Sequence, residues 1–240
     1  MKSAVDIPAF KDVEEFYKTN FYFAKNSGKI KGEVGEGAKG LGIDFYVLPK
    51  IHGTRFIGHR RHGFKVLLET WPAYILAYEN VQADTKGHSA NVRSKVSGLL
   101  KKFRSYQFLS YVNLYLDLLD GMVPTSLVFE ADMLLPLEVS LAISRSISEL
   151  EEKLNEIGTD AEFLDSYMHR FQVSEDGELA GKFVKAGDKR RHKENHQYVT
   201  VNITMKPYSA NNCLEKVWDM KRKVIPALIK TLKQRFEEIK

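Results

Sequence analysis

Apolar residues recur at three- and four-residue steps along most of the chain, the period of an α-helix with one buried face. Over residues 10–25, Phe10, Val13, Tyr17 and Ala24 form such a stripe, and Phe16, Phe21 and Phe23 widen it towards a largely buried helix ended at Ser27-Gly28. Residues 28–42 hold six glycines, each costing about 1 kcal/mol relative to alanine in a helix, which predicts a frayed helix or loop. A short extended piece is expected over 43–48. The next helix opens after Gly53, with Thr54 as N-cap. On its wheel Ile57, Phe64, Leu67, Leu68 and Trp71 lie on one side, with Arg55, His59, His62, Lys65 and Glu69 opposite, flanked by Arg60 and Arg61. Trp71-Pro72 must break or redirect that helix, which continues over 73–81.

After a polar linker over 82–89, Val92, Val96, Leu99, Leu100 and Phe103 make a clean stripe that leaves Lys101, Lys102 and Arg104 outside. Residues 106–119 are apolar nearly all round and predict a central helix, ended by Gly121 and Pro124. A shorter helix over 127–135 and another from Pro136 follow, the latter with Leu137, Leu141, Ile147, Leu150 and Leu154 facing inward and Gly158 as its stop. One more short helix is expected over 160–171. The period then changes: residues 178–185 and 197–206 alternate like strands and predict a small hairpin near 178–206, with a charged tip over 188–196. A last helix, capped by Asn211, runs from there to the end despite Pro226. The expected fold is mainly α, a multi-helix bundle with a β-hairpin, in a single α-rich domain over 1–240. Its parts are a leading helix and glycine-rich connection over 1–50, a helical core over 51–173, a polar hairpin and loop over 174–210, and a closing helix over 211–240.

Charge adds a direction. Thirty-six Lys and Arg face 31 Asp and Glu, for a net charge of +5, which favours an anionic partner without approaching a histone-like excess. The single cysteine, Cys213, leaves no intramolecular disulfide and no cysteine zinc cluster, so a reducing, nuclear or cytoplasmic setting is expected. No apolar run approaches the ~20 residues needed to cross a bilayer, and no membrane role is expected.

Catalytic chemistry finds little support. His52, His59 and His62 lack a nearby cysteine or a spaced carboxylate, and Arg60 and Arg61 add positive charge where a cation would sit, so no metal site is expected. The glycines at 32, 35, 37, 40 and 42 lack the Gly-Lys-Ser/Thr ending of a phosphate loop, and no Gly-x-Ser-x-Gly elbow occurs. No cofactor is expected. What remains is basic surface beside an aromatic: Arg55, His59, Arg60, Arg61, Lys65, Lys101, Lys102, Arg104 and the tip over 189–193 for phosphates, and Phe56 as a face for an unpaired base. A solvating helix face accounts for the same cations, and core packing for Phe56.

The block Gly53-Thr54-Arg55-Phe56-Ile57-Gly58-His59-Arg60, continuing into Leu67-Leu68-Glu69-Thr70-Trp71-Pro72-Ala73, resembles the "T-R-W" block of hAT-superfamily transposases and of the domesticated zinc-finger proteins derived from them. Tyr198-Val199-Thr200-Val201-Asn202 and Leu232-Lys233-Gln234-Arg235-Phe236 are similar, in order and spacing, to the end of the same region. The resemblance implies a helical insertion of an RNase H-like core, whose aromatic handles a flipped or hairpinned DNA end. Two departures matter. Phe56 stands where the family has tryptophan, and no segment matches those that carry the family's catalytic carboxylates for two-metal phosphoryl transfer. The expectation is a catalytically inert, transposase-derived DNA-binding protein or fragment. The alternative is a helical protein-interaction module, or relic, without nucleic-acid binding. Partner classes are DNA and other proteins, a second copy included.

Overall fold

The computed structural model describes residues 8–51, 57–131, 133, 135–155, 171–173, 179–185, 199–205 and 210–236. The chain is mainly α-helical, in the order α1 (Pro8–Lys25), α2 (Gly28–Leu41), α3 (Ile57–Glu69), α4 (Trp71–Ala83), α5 (Ala90–Phe103), α6 (Tyr106–Phe129), α7 (Pro136–Asn155) and α8 (Ala210–Phe236). Between α7 and α8, strands β1 (Phe171–Val173), β2 (Leu179–Lys185) and β3 (Val199–Met205) pair antiparallel in that order, with Phe183 opposite Val201. Helix α2 lies on α4, α4 on α5, α3 on α6, α6 on α7, and α8 across α6 and α7.

The stripes of α1 and α5 fall where their spacing puts them. Phe10, Val13, Phe16, Tyr17 and Phe21 are buried on α1, as are Val96, Leu99, Leu100 and Phe103 on α5, which starts with the Ser89 hydroxyl accepting from the Val92 N–H. Thr70 separates α3 from α4; its hydroxyl donates back to the Val66 carbonyl of α3 at 2.7 Å and makes no cap bond to the first turn of α4. Two helices are central. Alongside α6, every residue of α4 from Trp71 to Tyr78 is buried. Trp71, Tyr74, Tyr78, Phe16, Phe103 and Phe108 form one aromatic cluster, with Trp71 and Phe103 centroids 4.6 Å apart at 65°.

Three expectations are corrected. The glycine-rich stretch is a full helix, α2, closed at the start by the Ser27 hydroxyl accepting from the Ile30 N–H and at the end by Gly42 at φ 68°, whose N–H reaches back to Ala38 and Lys39. One of its glycines acts through its missing side chain: a Cβ on Gly37 would lie 3.0 Å from the Ala73 carbonyl oxygen, so glycine there lets α2 approach α4 at backbone distance. Helix α6 does not end at Gly121 and Pro124 but runs to Phe129, absorbing the separate helix expected from residue 127. Gly121 sits under Leu150 of α7, and the Thr125 hydroxyl donates to the Ser146 hydroxyl at 2.8 Å, so α7 holds the helix together where proline removes a backbone donor. On α7 the buried side is Val139, Ala142, Ile143, Ser146 and Leu150, whereas Leu137 and Leu141, expected inside, are 71% and 62% exposed. The short extended piece expected over 43–48 has no strand pairing. The Thr54 cap, the Gly158 stop, the charged tip over 188–196 and residues 160–170 of the expected short helix lie outside the described residues; Phe171 belongs to β1.

Tyr17, Tyr74, Tyr78 and Tyr115 are buried, and burial raises all four hydroxyls above the ordinary value of 10.0, with the Glu14 carboxylate raising Tyr115 further. The unfolded chain gives up these protons near pH 10 and the folded chain keeps them, so above that pH the folded state holds more protons and stability falls as pH rises. Helix content followed by circular dichroism should therefore be lost cooperatively above about pH 10, together with a step in tyrosinate absorbance. A gradual tyrosinate titration with no cooperative step would count against these burials.

A candidate nucleic-acid interface

The cationic residues nominated from the sequence do not share one fate. Arg55 and Phe56 lie outside the described residues, as do His52 and the tip over 189–193. Helix α3 begins at Ile57 and turns Ile57, Phe64, Val66, Leu67 and Leu68 into the core. Its approach to α1 depends on Gly63, where a Cβ would meet the Tyr17 hydroxyl at 2.7 Å; that hydroxyl instead donates to the Pro49 carbonyl at 2.7 Å. His59, His62 and Lys65 are exposed on α3, and Lys101 is exposed on α5.

Arg60 belongs to the interior. It is 7% exposed and forms an ion pair with Glu14 of α1, which is also 7% exposed. The Tyr115 hydroxyl of α6 donates to the same Glu14 oxygen at 2.5 Å and accepts from Arg60 Nη1 at 3.3 Å. Lys18 stands 3.6 Å from the second Glu14 oxygen. Phe10 and Phe64 pack on the Tyr115 ring, with centroids 5.2 and 5.0 Å away, and keep water from the three groups. The triad is a polar lock between α1, α3 and α6, a structural duty rather than an outward one.

Three more nominated cations are engaged at the surface. Arg61 pairs with Asp120 of α6, and Arg104 with Glu79 of α4. Burial lifts the Glu79 carboxyl above its usual range while Arg104 pulls it back down. Lys102 pairs with Asp12 of α1 and lies over the rings of Phe108 and Phe16, 5.3 and 5.9 Å from their centroids. It closes one rim of an open groove of about 820 Å³ between α1 and α5, floored by Phe16, Phe23 and Leu99. Lys65 and Lys101 have no ion-pair partner among the described residues. Of the nine residues nominated, the structure therefore leaves Lys65 and Lys101 without an ion-pair partner among the described residues, with His59 exposed nearer the start of the same helix as Lys65.

The engaged partners were beyond sequence reading. Glu14 lies 46 residues from Arg60, and Tyr115 lies 101 from Glu14. One faint signal existed, a glutamate set next to Val13 inside an otherwise apolar stripe.

Among the described residues no three His, Cys, Asp or Glu side chains gather where they could hold a metal ion, and no helix is long and apolar enough to cross a membrane. No protein-family model matches the chain, and no solved structure matches it.

Proposed function

We propose that the chain is a catalytically inert, transposase-derived DNA-binding protein or fragment, corresponding to the helical insertion of an RNase H-like transposase with its small β-hairpin, and acting in the nucleus or cytoplasm. The observation that carries this reading is the outer side of α3, where His59, His62 and Lys65 are exposed immediately after the Arg55-Phe56 pair of the block that resembles the hAT motif. The arginine before this helix and the lysine along it suit phosphates, and the aromatic suits an unstacked base. A second reading, a helical protein-interaction module without nucleic-acid binding, is favoured by the intramolecular pairing of Arg60, Arg61, Lys102 and Arg104, which reduces the cations free to meet phosphate.

Equilibrium binding of duplex, hairpin and single-stranded DNA across a salt series separates the two. Lys65→Ala and Lys101→Ala should each weaken binding and reduce the salt slope by about 1. Phe56→Ala should cost about 1–3 kcal/mol on hairpin or single-stranded DNA and less on duplex. Absence of binding at low salt would exclude the DNA reading and leave the interaction module.

A further inference from the structure

We infer that the outward stripe of α7 is the interface of a two-fold symmetric homodimer in which two α7 helices pack antiparallel. Nine large apolar side chains are exposed among the described residues, and six of them lie within 15 residues of sequence: Leu127, Phe129, Met133, Leu135, Leu137 and Leu141. Leu137 and Leu141, 71% and 62% exposed and one turn apart, are the two that share the outward face of α7.

The order of residues along α7 identifies a second copy as the occupant. Positions 137, 141, 144 and 148 lie in one stripe of the helix, and all four are exposed. The stripe is large at its start, Leu137 and Leu141, and small at its end, Ser144 and Ser148. An antiparallel copy centred between residues 141 and 142 sets each Leu137 against the small end of the other stripe. The charges follow the same inversion. Exposed Glu138 and Arg145 flank the stripe on the same side, one towards each end, so the same two-fold axis brings Glu138 of one copy to Arg145 of the other, twice. Arg145 now reaches Glu149 at 3.0 Å in its own helix while remaining 74% exposed, so it is placed to turn to a partner. A parallel pair would instead put Leu137 on Leu137 and carry the charges of the two copies to opposite sides of the seam, where Glu138 and Arg145 do not meet. The pairing does not depend on DNA binding.

Sedimentation equilibrium of the 240-residue chain at roughly 10–50 µM should show a dimer. Glu138→Arg and Arg145→Glu, each placing like charges across the axis, should raise the dissociation constant about tenfold or more while leaving helix content unchanged. Mixed in equal amounts, these two variants should recover a dimer, because each of the two symmetry-related contacts then joins one arginine to one glutamate. Leu137→Ala with Leu141→Ala, at exposed positions whose loss leaves the core intact, should give a folded monomer. A monomeric wild type, single charge variants that pair as tightly as wild type, a mixture that stays monomeric, or a leucine double variant that still dimerises would each overturn the inference.

Discussion

Arg60→Met is expected to destabilise the fold by about 3–5 kcal/mol, far more than a substitution on an exposed cationic helix face, because it leaves Glu14 charged and buried without its main partner. The methionine keeps most of the volume, so the effect isolates the charge. Lys18 at 3.6 Å is too exposed to replace the guanidinium, and the Tyr115 hydroxyl supplies one hydrogen bond but no charge. Glu14→Gln combined with Arg60→Met should cost less than the sum of the two single changes, since each single change strands a partner that the double change removes. Urea unfolding measures this as a lower midpoint at unchanged slope. A loss below about 1 kcal/mol would mean that Arg60 is a surface residue after all.

Trp71→Ala should be comparably damaging, about 3–5 kcal/mol, since the indole is fully buried and few neighbours can collapse into its place. Its ring meets Phe16 and Phe103, and its Nε1 donates to the Phe103 carbonyl at 2.9 Å, where α5 ends. One side chain thus ties the start of α4 to the end of α5 and to α1. Trp71→Phe keeps part of the packing and loses the donor, so its cost should fall between wild type and alanine, about 1–3 kcal/mol from the carbonyl left unpaired. Thermal unfolding of the three proteins tests the order, and a phenylalanine variant as unstable as alanine would remove the packing share from the account.

What could be read from the sequence was what depends on near neighbours. The stripes of α1 and α5 required only the helical period, and the break at Trp71-Pro72 required only the geometry of proline. What could not be read depends on distant segments. Six glycines in 15 residues indicate a weak helix until the Ala73 carbonyl of α4 stands where a Cβ on Gly37 would be. Pro124 indicates a stop until Ser146 and Leu150 brace the far side of α6. Arg60 looks like one more cation on a basic face until Glu14 and Tyr115 claim it. The wheel of α3 erred for the same reason, because amphipathic patterning assigns charge to water and has no place for a charge whose partner is another helix. On α7 the leucine periodicity was real, yet two of its leucines point away from the core.

The inverted order of that outward stripe also limits growth. A surface whose large and acidic end complements its own small and basic end is consumed entirely when two copies meet about a two-fold axis. Nothing is then left to recruit a third. A head-to-tail contact between different surfaces would leave an unsatisfied face at each end and extend into filaments, so the polarity written into 12 residues of α7, from Leu137 to Ser148, stops assembly at two and keeps an exposed leucine pair from becoming a route to aggregation.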